Sequence, residues 1–175
     1  MEQKFIMTAF SKDRPGIVAD VTEVIYENGC NLEDSTMTNM LDEFAIILLF
    51  TGKGDGLQDQ LVSACRRLER EKGITAFIRE VEAKDRDKQS DHFIKTINVE
   101  GIDQAGIVFK ISRFLADQNI NIASLTSQRI NSPESGTAIY FMEIEAQVPV
   151  TVSLAHLEKG LYQVGEELNL EITVS

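Results

Sequence analysis

Apolar positions along the chain follow two rhythms, and the order of those rhythms is written twice. KFIMTAF, from Lys4 to Phe10, is a short β-rich run, and SKDRPG after it carries turn and cap signals. Ile17, Val18, Val21, Val24 and Ile25 then recur three and four apart, the spacing of one apolar helix face. Asn28-Gly29 suits a left-handed helix end, Asn31-Leu32 enters a second strand, and EFAIILLF from Glu43 forms a third. Leu57, Leu61, Ala64, Cys65 and Leu68 mark a second helix, and ITAFIREV from Ile74 closes the series. The second copy repeats each step. Ile107, Val108, Ile111, Phe114 and Leu115 give its first helix, Gln118-Asn119 the cap, Asn121-Ile122 the second strand and TAIYFMEIE from Thr137 the third. Leu154, Leu157, Leu161, Val164 and Leu168 give its second helix, and LEITVS from Leu170 its last strand.

This β-α-β-β-α-β order, met twice, predicts an α+β chain of two tandem ferredoxin-like domains, each an antiparallel sheet with two helices on one face. The domains are expected at 1–82 and 93–175, with the charged, aperiodic AKDRDKQSDH of 83–92 as linker. The copies align at an offset of ninety through the first helix and second strand, and of ninety-six from the third strand onward. All six extra residues fall in NSPESG, Asn131 to Gly136, where turn formers predict a mobile excursion. Cys30 aligns with Ile120 and Cys65 with Leu161, so both thiols are expected in apolar slots, as structural groups. Ile47 and Leu49 align with Glu143 and Glu145, which leaves the third strand of copy one apolar on both sides. A strand of that kind is normally covered, so the helix-free face of the first copy is expected to be a partner or self-association surface.

A net charge of −11 is spread evenly, with 17 acidic against 12 basic residues up to position 90 and 11 against 5 beyond it. Direct nucleic-acid binding needs clustered Lys and Arg and is not expected. Arg66, Arg67, Arg70 and Lys72 do cluster, but Glu69 and Glu71 interleave with them, as on a solvated helix face. Neither a signal sequence nor an apolar run of membrane-spanning length is read, so the expected location is cytoplasmic. The cysteines lack metal or disulfide spacing, and no cofactor motif is present.

The repeated junction DRPGIV and DQAGIV, where strand passes into helix, is the candidate site. One reading is structural: Asp caps the helix, Pro15 takes an early helical position and Gly16 or Gly106 permits a tight turn. The other is a ligand. Amide N–H groups and the positive end of the helix dipole attract a carboxylate, while Asp13 or Asp103 could accept bonds from an ammonium group. Together they suit an amino-acid zwitterion. Asn31 and Asn121 could add polar side chains if they face a neighbouring copy. A phosphate has little support, because no GxxxxGK[ST] or GxGxxG is present and Arg14 is replaced by Gln104 in copy two.

DRPGIV and DQAGIV, followed by GCNLEDS and NINIASL, resemble the start of ACT domains, small ferredoxin-like modules that bind amino acids and regulate metabolism. The tandem order, with SGTAIYFMEIEAQVPV, resembles the family of the glycine cleavage system transcriptional repressor. That resemblance implies a non-enzymatic sensor of a small amino acid such as glycine, bound between ACT domains and acting through a DNA-binding regulator protein. It also implies ligand residues Asp13, Gly16, Ile17 and Asn31 in copy one, and Asp103, Gly106, Ile107 and Asn121 in copy two. Copy two departs from the pattern with Ala105 where copy one has Pro15. Two other readings compete. A ferredoxin-like scaffold can carry an enzyme, but His92 and His156 have no repeat partners and no nucleophile has a base at a suggestive spacing. An interaction module without a small-molecule ligand would rest on the Ile47 and Leu49 strand; under either reading a homo-oligomer is expected through that sheet of the first domain.

Overall fold

The computed structural model describes residues 2–82, 91–133 and 136–175, and the chain divides into two compact units, 1–85 and 86–175. The first contains β1 (Glu2–Lys12), α1 (Ile17–Glu27), β2 (Asn31–Met40), β3 (Glu43–Lys53), α2 (Leu57–Lys72) and β4 (Thr75–Val81). The second contains β5 (His92–Ile102), α3 (Ile107–Asp117), β6 (Asn121–Asn131), β7 (Ala138–Pro149), α4 (Leu154–Leu168) and β8 (Leu170–Val174). The expected βαββαβ order is present in both. Most of the expected linker, 83–90, lies outside the described residues, and His92 already opens β5. Glu134 and Ser135, inside the expected NSPESG excursion, are likewise outside them. Around those two, the Ser132 amide donates to the Thr137 carbonyl at 2.8 Å.

Each sheet is antiparallel, in the order β2-β3-β1-β4 and β6-β7-β5-β8. Strand alternation sorts side chains into two sets. In the first unit Phe5, Met7 and Ala9 of β1 and Phe44, Ile46, Leu48 and Phe50 of β3 face the helices and are buried. Ile17, Val21, Val24 and Ile25 of α1 and Leu57, Leu61, Cys65 and Leu68 of α2 close the core over them. Both helices therefore lie on one side. The Phe5 and Phe50 rings stack with centroids 5.7 Å apart. The second unit repeats the arrangement with Ile97, Val99, Met142, Ile144, Ala146 and Val148 under Ile107, Ile111, Leu115, Leu157 and Leu161.

The thiols sit in the slots the alignment assigns. Cys65 is buried like Leu161, and burial pushes its pKa up to about 11; Cys30 is half-buried, with its pKa also raised by desolvation. The two helix pairs solve one packing problem differently. Val24 and Ala64 are both buried in the first unit, and the aligned positions hold Phe114 and Gly160 in the second. A Cβ on Gly160 would stand 2.3 Å from the Phe114 ring, so the missing methyl is the space the ring fills.

Candidate functional site

At the first junction the backbone leaves β1 and turns into α1. The Asp13 amide donates to the Asp42 carbonyl at 2.7 Å, which ties the junction to the turn between β2 and β3. Asp13 does not cap the helix. Its carboxylate accepts from the Asn39 side-chain amide of β2, and the N-cap position belongs to Gly16, whose own residue type offers no side-chain cap. Pro15 lies in the turn ahead of the helix. Gly16 has φ +87°, where an L side chain costs ~1–2 kcal/mol, and a Cβ there would meet nothing within 4 Å. Backbone conformation, not crowding, requires the glycine, and the space above it is open.

The first i→i−4 bond of α1 runs from the Asp20 amide to the Gly16 carbonyl at 3.0 Å. The amides of Val18 and Ala19 precede it and form the donor end of the helix. Arg14 is committed elsewhere: its Nη2 lies 2.6 Å from Asp20 Oδ2, while Lys72 Nζ is 3.3 Å from Asp20 Oδ1. The Arg14 hydrogen bond lowers the Asp20 pKa, with Lys72 adding to it.

The second junction repeats the backbone and changes the side chains. The Asp103 amide donates to the Ala138 carbonyl at 2.9 Å, Gly106 has φ +96°, and the first helical bond of α3 runs from Lys110 to Gly106 at 2.9 Å. Asp103 again faces the second strand, but there its Oδ2 is 2.8 Å from Arg129 Nε. Gln104, which stands where Arg14 does, turns its amide onto the Leu168 carbonyl near the end of α4.

Of the eight expected ligand residues, Asp13 and Gly16 share one junction and Asp103 and Gly106 the other. Ile17 and Ile107 open the helices, but their side chains are core groups 3% and 2% exposed, so only their backbone faces the junction. Asn31 and Asn121 stand apart. Asn31 pairs with Thr51, whereas Asn39 beside Asp13 pairs with Phe44, and the eight residue steps from one to the other span ~27 Å of strand. Asn121 donates to the Gln147 side chain at 2.8 Å, at the corresponding end of its sheet. Within either unit, asparagine and junction do not meet.

Asn39 and Arg129 are the residues sequence reasoning missed. They lie 26 residues from their carboxylates along the chain, and the offset of ninety carries one onto the other. The aligned pairs Asp13 with Asn39 and Asp103 with Arg129 were the available signal. Among the described residues no group of three or more His, Cys, Asp or Glu is placed to hold a metal ion, and no helix is long and apolar enough to cross a membrane.

Two βαββαβ modules, each turning through a left-handed glycine into its first helix, define the class. Residues 3–79 and 95–158 each match the ACT domain family, and the chain belongs to that family as a tandem of two ACT domains. In particular, it is similar to the glycine cleavage system transcriptional repressor of Escherichia coli strain K12, with 24% identity over 171 residues, 97% of this chain and 88% of that protein. A crystal structure of a protein from Galdieria sulphuraria matches all of this chain and 98% of its own, with a TM-score of 0.82 and 26% identity. Another crystal structure, described as a glycine cleavage system transcriptional repressor, shares the fold with a TM-score of 0.73 at 23% identity, over all of this chain and 97% of its own.

Proposed function

We propose that the protein is a non-enzymatic amino-acid sensor, binding a small amino acid such as glycine at its ACT junctions and regulating transcription indirectly through a DNA-binding regulator protein. The observation that carries this reading is the pairing of a carboxylate acceptor, Asp13, with the open amide end of α1 behind Gly16. An α-carboxylate is attracted by the amides and helix dipole, and an α-ammonium by the Asp carboxylate. The open space at Gly16 lets a ligand reach the backbone. Transcription enters through the name of the Escherichia coli relative. Its indirect character follows from a net charge of −11 spread over both halves. Ligand binding acts by population shift, favouring the arrangement in which the bound groups are paired. Asn31 and Asn121 would have to be supplied to a junction by another module of an assembly.

The test is a thermal-shift panel of free amino acids with calorimetry on any hit. A native-state ligand raises stability by ~2.7 kcal/mol at a hundredfold excess over its Kd. Glycine or a small neighbour is expected to stand out, and Asp13→Ala to weaken it by ~1.5–3 kcal/mol, the scale of a hydrogen bond to a charged group. Unchanged affinity in that variant removes the ammonium contact.

A flat panel well above millimolar concentration favours a second reading, an interaction module without its own ligand. The open face of the first sheet supports it: Phe10, Ile47 and Phe77 are 44%, 50% and 62% exposed there, with Leu49 beside Ile47. The same face is our candidate for homo-oligomer contact.

A further inference from the structure

We infer that the two junctions are not equivalent: the residue aligned at 39 and 129 decides whether a junction accepts an amino acid, and only the first does so at concentrations that fill it. This rests on the sensor reading and specifies which of its sites works.

The two carboxylates occupy the same backbone position and meet the same position of the second strand. Their partners differ in charge. Asn39 is neutral and fills one of about four acceptor sites on the Asp13 carboxylate, leaving its negative charge uncompensated. Arg129 is a cation whose Nε sits 2.8 Å from Asp103, so the charge an ammonium would use is already neutralised. An incoming ammonium must displace the guanidinium and then sit beside it.

The nearby cations of the first unit do not restore equality. Arg14 and Lys72 are both held by Asp20, at 2.6 and 3.3 Å. In the second unit Gln104 is uncharged and its amide donates to the Leu168 carbonyl, so it adds no negative charge to the junction. Both 39 and 129 are exposed positions on edge strands. Exchanging them changes the charge at the junction without opening a core.

The experiment is a calorimetric titration of the full chain with the amino-acid panel, glycine first, using wild type, Asn39→Arg and Arg129→Asn. Circular dichroism melts establish that each variant is folded. One site per chain is expected in the wild type. Asn39→Arg should weaken it roughly tenfold or more, the loss expected when a charge-assisted hydrogen bond is blocked. Arg129→Asn should raise the stoichiometry to two. N-acetylglycine, which keeps the carboxylate and has no ammonium, should bind the wild type at least tenfold more weakly than glycine. Two equal sites in the wild type, a site indifferent to Asn39→Arg, or an unchanged stoichiometry in Arg129→Asn overturns the inference and leaves the sensor reading standing. A panel with no binder overturns both.

Discussion

The open faces of the two sheets occupy matching positions and carry opposite chemistry. In the first, Phe10 and Phe77 lie on neighbouring strands with ring centroids 6.1 Å apart, next to Ile47 and Leu49. In the second, the aligned positions hold Glu100, Thr173, Glu143 and Glu145. Glu171 faces Glu100 directly across β5 and β8, and with Asn98, Phe141, Glu143 and Thr173 they line a shallow concavity of about 590 Å³. Beneath these faces most core positions stay apolar from one copy to the other, although Phe5 aligns with Lys95 and its stacking partner Phe50 with Ala146. The difference teaches which half of a strand is constrained: inward positions must fill a packed interior, while outward ones are free to become apolar or charged. Between the copies the inward set stays mostly apolar while the outward set changes from apolar to acidic.

The largest effect expected lies under the face. Phe50→Ala, at a fully buried position, should cost ~3–5 kcal/mol in urea unfolding, whereas Ile47→Ala on the opposite face should change stability by ~0.5 kcal/mol or less in dilute protein. A comparable loss at Ile47 would mean that the face is not open within the chain. Next in size is assembly. Ile47→Glu should weaken self-association by ~1.5–3 kcal/mol, the scale of burying one such side chain, as read by sedimentation velocity. An oligomer insensitive to the change would remove this face as the contact. The smallest effect concerns the acidic sheet: Glu171→Gln removes a like-charge pair and should gain ~0.2–1 kcal/mol in thermal melts at low salt. The gain should shrink as salt screens the faces. A gain independent of salt would assign it to something other than repulsion with Glu100.

Helix faces and half-buried strands were legible because burial writes a period into the sequence. α1 and α3 start at the residues the spacing indicates, and their ends use left-handed Gly29 and Asn119, as Asn28-Gly29 and Gln118-Asn119 suggest. β2 was legible only at its entry. Its ten residues are all exposed, so neither face imposes alternation and its length could not be read. The junction carboxylates show the other limit. Asp before a helix fits a capping pattern locally, yet each Asp spends its side chain on a strand residue 26 positions away. Local spacing does not contain that choice. The copy-to-copy alignment did contain the apolar slots of Cys30 and Cys65, because a position facing the core stays apolar even where its volume changes.

The exchange of Val24 and Ala64 for Phe114 and Gly160 has a historical side. An alanine at 160 would bring its methyl to 2.3 Å from the Phe114 ring, which must then shift, and a glycine at 64 would remove volume from a buried position near Val24. Taken singly, either exchange is therefore expected to cost stability, and the two residues of each pair fit together as a set. Helices α2 and α4 are no longer interchangeable parts. A chimera that transplants α2 into the second unit must carry α1 with it, so the unit of inheritance in this fold is the helix pair.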